Sequence, residues 1–183
     1  MALVPKTSEV ETLRRTSFKI LSWLFTFGFG GVATGLVISL WNGLERGPLI
    51  GVAACLGVIS LTRRIMGSRI ILGKSSVIIV NPLAAYIVPY VEVAQVGGGD
   101  SGTLTIITRQ GNEIYSTGFG GSFIDHFVGS TGRAAERIEA RIKRPRRGVG
   151  HSEMKKQFTV SWIADFCTVG VVVCGLMAAV VGV

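Results

Sequence analysis

Residues 20–41 read ILSWLFTFGFGGVATGLVISLW, a run without one charged side chain. At ~1.5 Å of rise per helical residue, it is long enough to cross a hydrocarbon core of ~30 Å. A second run, residues 160–183 (VSWIADFCTVGVVVCGLMAAVVGV), holds a single charge, Asp165. Between them lies a polar stretch with strand patterning. The chain therefore reads as a small folded domain carried between membrane anchors.

Composition agrees. The chain has 183 residues, 48% of them hydrophobic, and a mean hydropathy of +0.51, too apolar for an ordinary soluble surface. Removing the anchors leaves room for one small domain. The formal charge is +8, yet residues 68–143 are nearly balanced. They carry Arg69, Lys74, Arg109, Arg133, Arg137, Arg141 and Lys143 against Glu92, Asp100, Glu113, Asp125, Glu136 and Glu139. The excess sits beside the anchors, so the domain lacks the basic, aromatic-interleaved face that nucleic acid requires. Cys55, Cys167 and Cys174 all fall inside expected membrane helices. They predict apolar packing rather than a disulfide framework or metal site, and no cofactor is expected.

A third apolar segment, residues 48–62, is short for a span. The turn signal of residues 41–48, with Pro48 placed to open a helix, and the closing pair Arg63-Arg64 predict a helical hairpin over residues 20–64. Orientation follows from the lysine and arginine bias. With the N-terminus inside, only Arg46 of the 19 basic residues lies outside. The expected order is a cytoplasmic segment 1–19, the hairpin 20–64, a cytoplasmic domain 68–144, a basic linker 145–158 and a final span 159–183 whose end lies outside. The location is the cell membrane. Arg14-Arg15 does not read as an export signal, because no small-x-small cleavage site follows. Ser8-x-x-Glu11 fits a capping box, predicting a short helix from about residue 9 into the first span.

Small residues recur at helical spacing: Gly28, Gly31, Gly35 and Ser39 in the first span; Gly47, Gly51 and Cys55 in the second; Gly170, Cys174, Ala178 and Gly182 in the third. Such stripes let helix backbones approach closely in lipid. Asp165, about one turn inside the boundary marked by Trp162, calls for Arg63, Arg64 or headgroup water as its partner. The basic residues Arg14, Arg15, Lys19, Arg63, Arg64, Arg146, Arg147, Lys155 and Lys156 are candidates for unspecific contact with anionic headgroups.

From Arg69 the pattern turns to period two. Strands are expected over residues 69–72, 77–80, 85–88, 104–108 and 114–117, with 91–96 as an optional sixth. An amphipathic helix follows from about Gly132 to Arg144, with Ala135, Ile138 and Ile142 on one face. Short antiparallel strands and a terminal helix imply a small barrel or bent sheet capped by that helix.

Residues 68–143 resemble the bacterial PH-like domain of small actinobacterial membrane proteins. The residues that carry the resemblance are Gly73-Lys74-Ser75, Val77-Ile78-Ile79-Val80-Asn81-Pro82-Leu83, Tyr86-Ile87-Val88-Pro89-Tyr90-Val91-Glu92-Val93 and Leu104-Thr105-Ile106-Ile107-Thr108. The fold class expected is an α+β membrane protein: three transmembrane helices with an inserted small β-barrel or bent sheet capped by a helix, whose PH-like fold is what the resemblance implies. The function it implies is that of an adaptor.

No catalytic constellation is legible. Residues 97–102 lack the helix and Lys-Ser/Thr of a phosphate loop. Ser122, Asp125 and His126 lack a nucleophile turn, and His151 lies in the basic linker. The expectation is a non-enzymatic scaffold that docks a protein partner at the inner leaflet. The alternative is an accessory subunit of a transporter or channel.

Overall fold

The computed structural model describes residues 10–98, 102–120, 130–142 and 154–181. Among them are four α-helices, α1 (Thr16–Ser39), α2 (Arg46–Met66), α3 (Ser130–Ile142) and α4 (Trp162–Val181). The eight strands are β1 (Glu11–Leu13), β2 (Arg69–Leu72), β3 (Ser76–Val80), β4 (Ala84–Pro89), β5 (Val93–Gly97), β6 (Thr105–Thr108), β7 (Glu113–Tyr115) and β8 (Lys155–Phe158). The chain divides into two compact units. One takes Thr16–Gly67 and Val160–Val183; the other takes the described residues of Met1–Arg15 and Ser68–Thr159. This is a membrane protein with an inserted α+β domain.

In the helical unit, α1, α2 and α4 are each long and apolar enough to cross a membrane. The marginal middle segment grows into a helix of 21 residues, about 31 Å long. Glu45 is its extended N-cap, and Pro48 sits in the first turn, where a missing N–H costs nothing. At the other end the Gly67 N–H bonds the Arg63 carbonyl at 3.0 Å. α2 packs against both α1 and α4. Its contacts run in opposite chain order to each neighbour: Gly51 meets Leu36, and Arg63 meets Thr26. Likewise Leu56 meets Gly170, and Ser60 meets Thr168. Both pairings are antiparallel.

In the domain unit, β1-β2-β3-β4-β8 form one antiparallel sheet and β5-β6-β7 another. Ile70, Leu72, Val77, Ile79, Val88, Leu104, Ile106 and Ile138 are fully buried, each stabilising by roughly 1.5–3 kcal/mol. They form one core between the sheets and α3, joined by Leu13, Tyr90, Val93, Ile114, Phe119, Ala134 and Ala135. α3 buries the expected face, with Ile138 fully enclosed and Ile142 packed against the core. Gly98 takes φ +106, and a Cβ there would meet the Thr103 carbonyl oxygen at 2.6 Å, so only glycine fits.

The expectation of a PH-like barrel is overturned. The sheets are open and not closed into one barrel. A continuing meander would bring β5 to the edge of β4, but β8 holds that edge, with Ala84 opposite Phe158 and Ile87 opposite Lys155. Pro89 ends β4 with no N–H to extend its ladder, and the 3-10 turn Tyr90–Glu92 leads β5 into its own ladder with β6. At the other side, β1 takes the outer edge of β2. Both capping strands come from outside residues 68–144, and the PH-like assignment falls with the barrel.

The capping-box helix is also corrected: Glu11–Leu13 is a strand, and the helix starts at Thr16. Leu13 lies opposite Ile70 and is 9% exposed. Glu11 is held by Arg137 of α3 at 2.6 Å and Arg141 at 3.6 Å. Tertiary contacts outweigh a local cap here.

Candidate functional site

Successive residues of an α-helix point about 100° apart, so Arg63 and Arg64 in the last turn of α2 address different neighbours. Arg63 turns to α1. Its Nε donates to Thr26 Oγ1 at 2.9 Å, and its guanidinium carbon lies 4.1 Å from the centre of the Trp23 ring, a cation–π arrangement. Thr26 Oγ1 in turn donates to the Ser22 carbonyl at 2.7 Å.

Arg64 turns to α4 and forms an ion pair with Asp165 Oδ1. The other carboxylate oxygen accepts the Ser161 N–H at 3.1 Å. That satisfies one of the orphan donors at the start of α4, where negative charge is favoured. One turn deeper on the same face of α2, Ser60 Oγ donates to the Ala164 carbonyl at 2.9 Å. The Ser60 and Thr168 hydroxyls lie 2.8 Å apart. The result is a polar clasp: one end of α2 tied to α1 by Arg63 and to α4 by Ser60 and Arg64. The α1 side is less well satisfied, because the Ser22 hydroxyl and Arg63 Nη2 are buried without a hydrogen-bond partner among the described residues.

The structure thus selects Arg64 over Arg63 as the partner of Asp165. Among the other headgroup candidates, Arg14 and Arg15 precede α1, Lys19 is in its first turn, and Lys155 and Lys156 lie in β8. Arg15 places its guanidinium 5.9 Å from the centre of the Phe119 ring, within the domain unit. Arg146 and Arg147 lie outside the described residues, as do Gly182, Ser122, Asp125, His126 and His151. The glycine stripes divide. A Cβ at Gly51 would meet Leu36 Cδ1 at 2.7 Å, and one at Gly170 would meet Leu56 Cδ1 at 2.7 Å. Gly28, Gly31 and Gly35 have nothing among the described residues within 4 Å of that position. Cys174 is half-buried, Cys55 and Cys167 are buried, and all three are free thiols.

The domain unit has its own tie. Asn81, in the β3–β4 turn, donates from Nδ2 to the Tyr115 carbonyl at 2.7 Å and accepts the Thr117 N–H at 2.9 Å. One side chain thereby occupies the edge of β7 and joins the two sheets. Beside it Tyr115 donates its hydroxyl to Glu113. That carboxylate holds the Tyr115 phenol above its usual pKa, by the hydrogen bond first and its charge second.

Reading the sequence missed Trp23 and Thr26 as partners of Arg63, Glu11 as an anchor for α3, and Asn81 as a bridge. The i,i+4 pairs Ser22/Thr26 and Ser60/Arg64 were the available signal for the clasp. Among the described residues no three His, Cys, Asp or Glu side chains converge as a metal-binding group. No protein-family model, curated protein or solved structure matches this chain.

Proposed function

We propose that the chain is a non-enzymatic membrane scaffold: three spanning helices that carry the α+β domain and offer it to a protein partner at the inner leaflet. The observation that supports this reading is the clasp. Arg63 with Thr26, Arg64 with Asp165, and Ser60 with Thr168 all engage one another across helices. Polar groups used in this way make a firm mount. The orientation proposed has the N-terminus and the domain in the cytoplasm and the C-terminus outside, because 18 of the 19 basic residues then stay inside. The basic residues beside the spans add unspecific attraction to anionic headgroups.

Crosslinking in native membranes, followed by purification of the full chain, tests the docking role. A soluble or peripheral protein crosslinked through Ser68–Thr159 supports it. Crosslinks confined to integral membrane proteins through the helices would replace it with the second reading, an accessory subunit of a transporter or channel. One observation favours that alternative: Gly28, Gly31 and Gly35 face open space on α1, a small-residue surface suited to another helix. A membrane-impermeant reagent applied to intact cells tests the orientation. Labelling of a cysteine probe placed by Asn112→Cys would overturn it.

A further inference from the structure

The edge formed by β8 and the turn before β4 carries two apolar side chains that the core does not enclose. Phe158 is 86% exposed and Leu83 is 61% exposed. Their backbones are neighbours: Phe158 lies opposite Ala84 in the ladder, and the Thr159 N–H bonds the Leu83 carbonyl at 3.2 Å. The Thr159 hydroxyl also bonds the Asn81 carbonyl at 3.1 Å, so the end of β8 and the Asn81–Leu83 turn are held together as one edge. In the same strand stand Lys155 and Lys156, both exposed. Lys156 Nζ lies 5.6 Å from the centre of the Tyr86 ring. Aromatic and aliphatic tips flanked by lysines are the composition of an interfacial membrane contact.

Covalent reach says which surface meets this edge. Three residues join Phe158 to Trp162, where α4 begins. Even fully extended, that connection spans about 14 Å. Trp162 opens an apolar helix at the depth where indoles settle, and the polar headgroup layer is itself about 5–7 Å thick on each side. Phe158 is therefore tethered within reach of the leaflet, and the lysines preceding it match the sign of anionic lipid.

We infer that the Leu83–Phe158 edge is a lipid-binding surface, inserting both side chains at the headgroup boundary while Lys155 and Lys156 engage anionic headgroups. The inference holds whether the chain acts as a scaffold or as an accessory subunit.

The test uses the full chain in vesicles of phosphatidylcholine with phosphatidylglycerol. A photoreactive p-benzoylphenylalanine replaces Phe158, Leu83 or, as a solvent-facing control, Asn112. All three side chains are exposed, so the substitutions leave the buried core intact. Mass spectrometry after irradiation is expected to show phospholipid adducts at positions 83 and 158, several-fold above position 112. Adduct yield is expected to fall several-fold with Lys155→Gln and Lys156→Gln together, and in vesicles of phosphatidylcholine alone. Adducts to protein at positions 83 and 158, or lipid yields no higher than at position 112, would overturn the insertion. Lipid yields unmoved by the lysine substitutions would overturn the anionic preference.

Discussion

Arg64 and Asp165 stand 101 positions apart in sequence, and their ion pair joins the last turn of α2 to the first turn of α4. The carboxylate serves two masters, the guanidinium and the Ser161 N–H. The side chains keep 22% and 40% of their exposure, and at the ends of their helices, where headgroups and water reach, such a pair contributes modestly.

A double-mutant cycle on Arg64→Gln and Asp165→Asn in lipid bicelles is expected to give a coupling of about 1 kcal/mol or less. Asp165→Ala should cost more than Asp165→Asn, because alanine also abandons the Ser161 N–H. Additive single substitutions would show that the pair carries no coupling.

The two faces of the clasp predict opposite responses to losing a hydroxyl. Ser60→Ala removes an interhelical bond worth roughly 0.6 kcal/mol and should lower the unfolding free energy by that order. Ser22→Ala removes a buried hydroxyl that has no partner among the described residues, so it should be neutral or slightly stabilising. Reversible unfolding in mixed micelles distinguishes the two.

The glycines should separate in the same assay. Gly51→Leu and Gly170→Leu overpack against Leu36 and Leu56 and should cost about 1–3 kcal/mol. Alanine at either site should cost much less, because the leucine tips can swing away. Gly28→Leu and Gly31→Leu should leave the isolated chain unaffected. If they instead abolish a complex purified from membranes, the open face of α1 is its contact.

In the domain, Leu13→Ala should cost roughly 2–4 kcal/mol through the cavity it leaves. Glu11→Gln should cost less than about 1 kcal/mol, since Arg137 and Arg141 hold it near the surface. Hydrogen exchange would report both as faster exchange in β1. Unchanged protection of Glu11–Leu13 in Leu13→Ala would contradict the pairing with β2.

Tyr115 offers a spectroscopic check. Its phenol is held neutral by Glu113, so ionisation should require a pH above the usual value for tyrosine, about 10. Glu113→Gln removes the acceptor charge and should lower the midpoint toward that value. Absorbance titration of the phenolate band measures it. An equal midpoint in both proteins would show that the hydrogen bond does not persist in solution.

The anchors were legible because hydrophobicity over a long uninterrupted window is a local property. Residues 20–41 and 160–183 declare themselves without any knowledge of their neighbours, as do the period-two strands and the apolar face of α3. The choice between Arg63 and Arg64 was not legible, since both lie within reach of Asp165 on paper. Which one turns to α4 depends on the rotation of α2, set by the packing of Leu36 on Gly51 and of Leu56 on Gly170.

Chain order and composition alone thus determined three apolar helices, a domain between the second and third, and a skewed distribution of positive charge. Tertiary structure decided how the sheet ends. β1 and β8 come from segments with weak strand signals of their own; they pair because β2 and β4 present unfilled backbone donors and acceptors beside them, and β1 also because Leu13 joins the core. Edge occupancy of that kind is a long-range property. It turned an expected barrel into two open sheets, and it brought Phe158 beside Leu83.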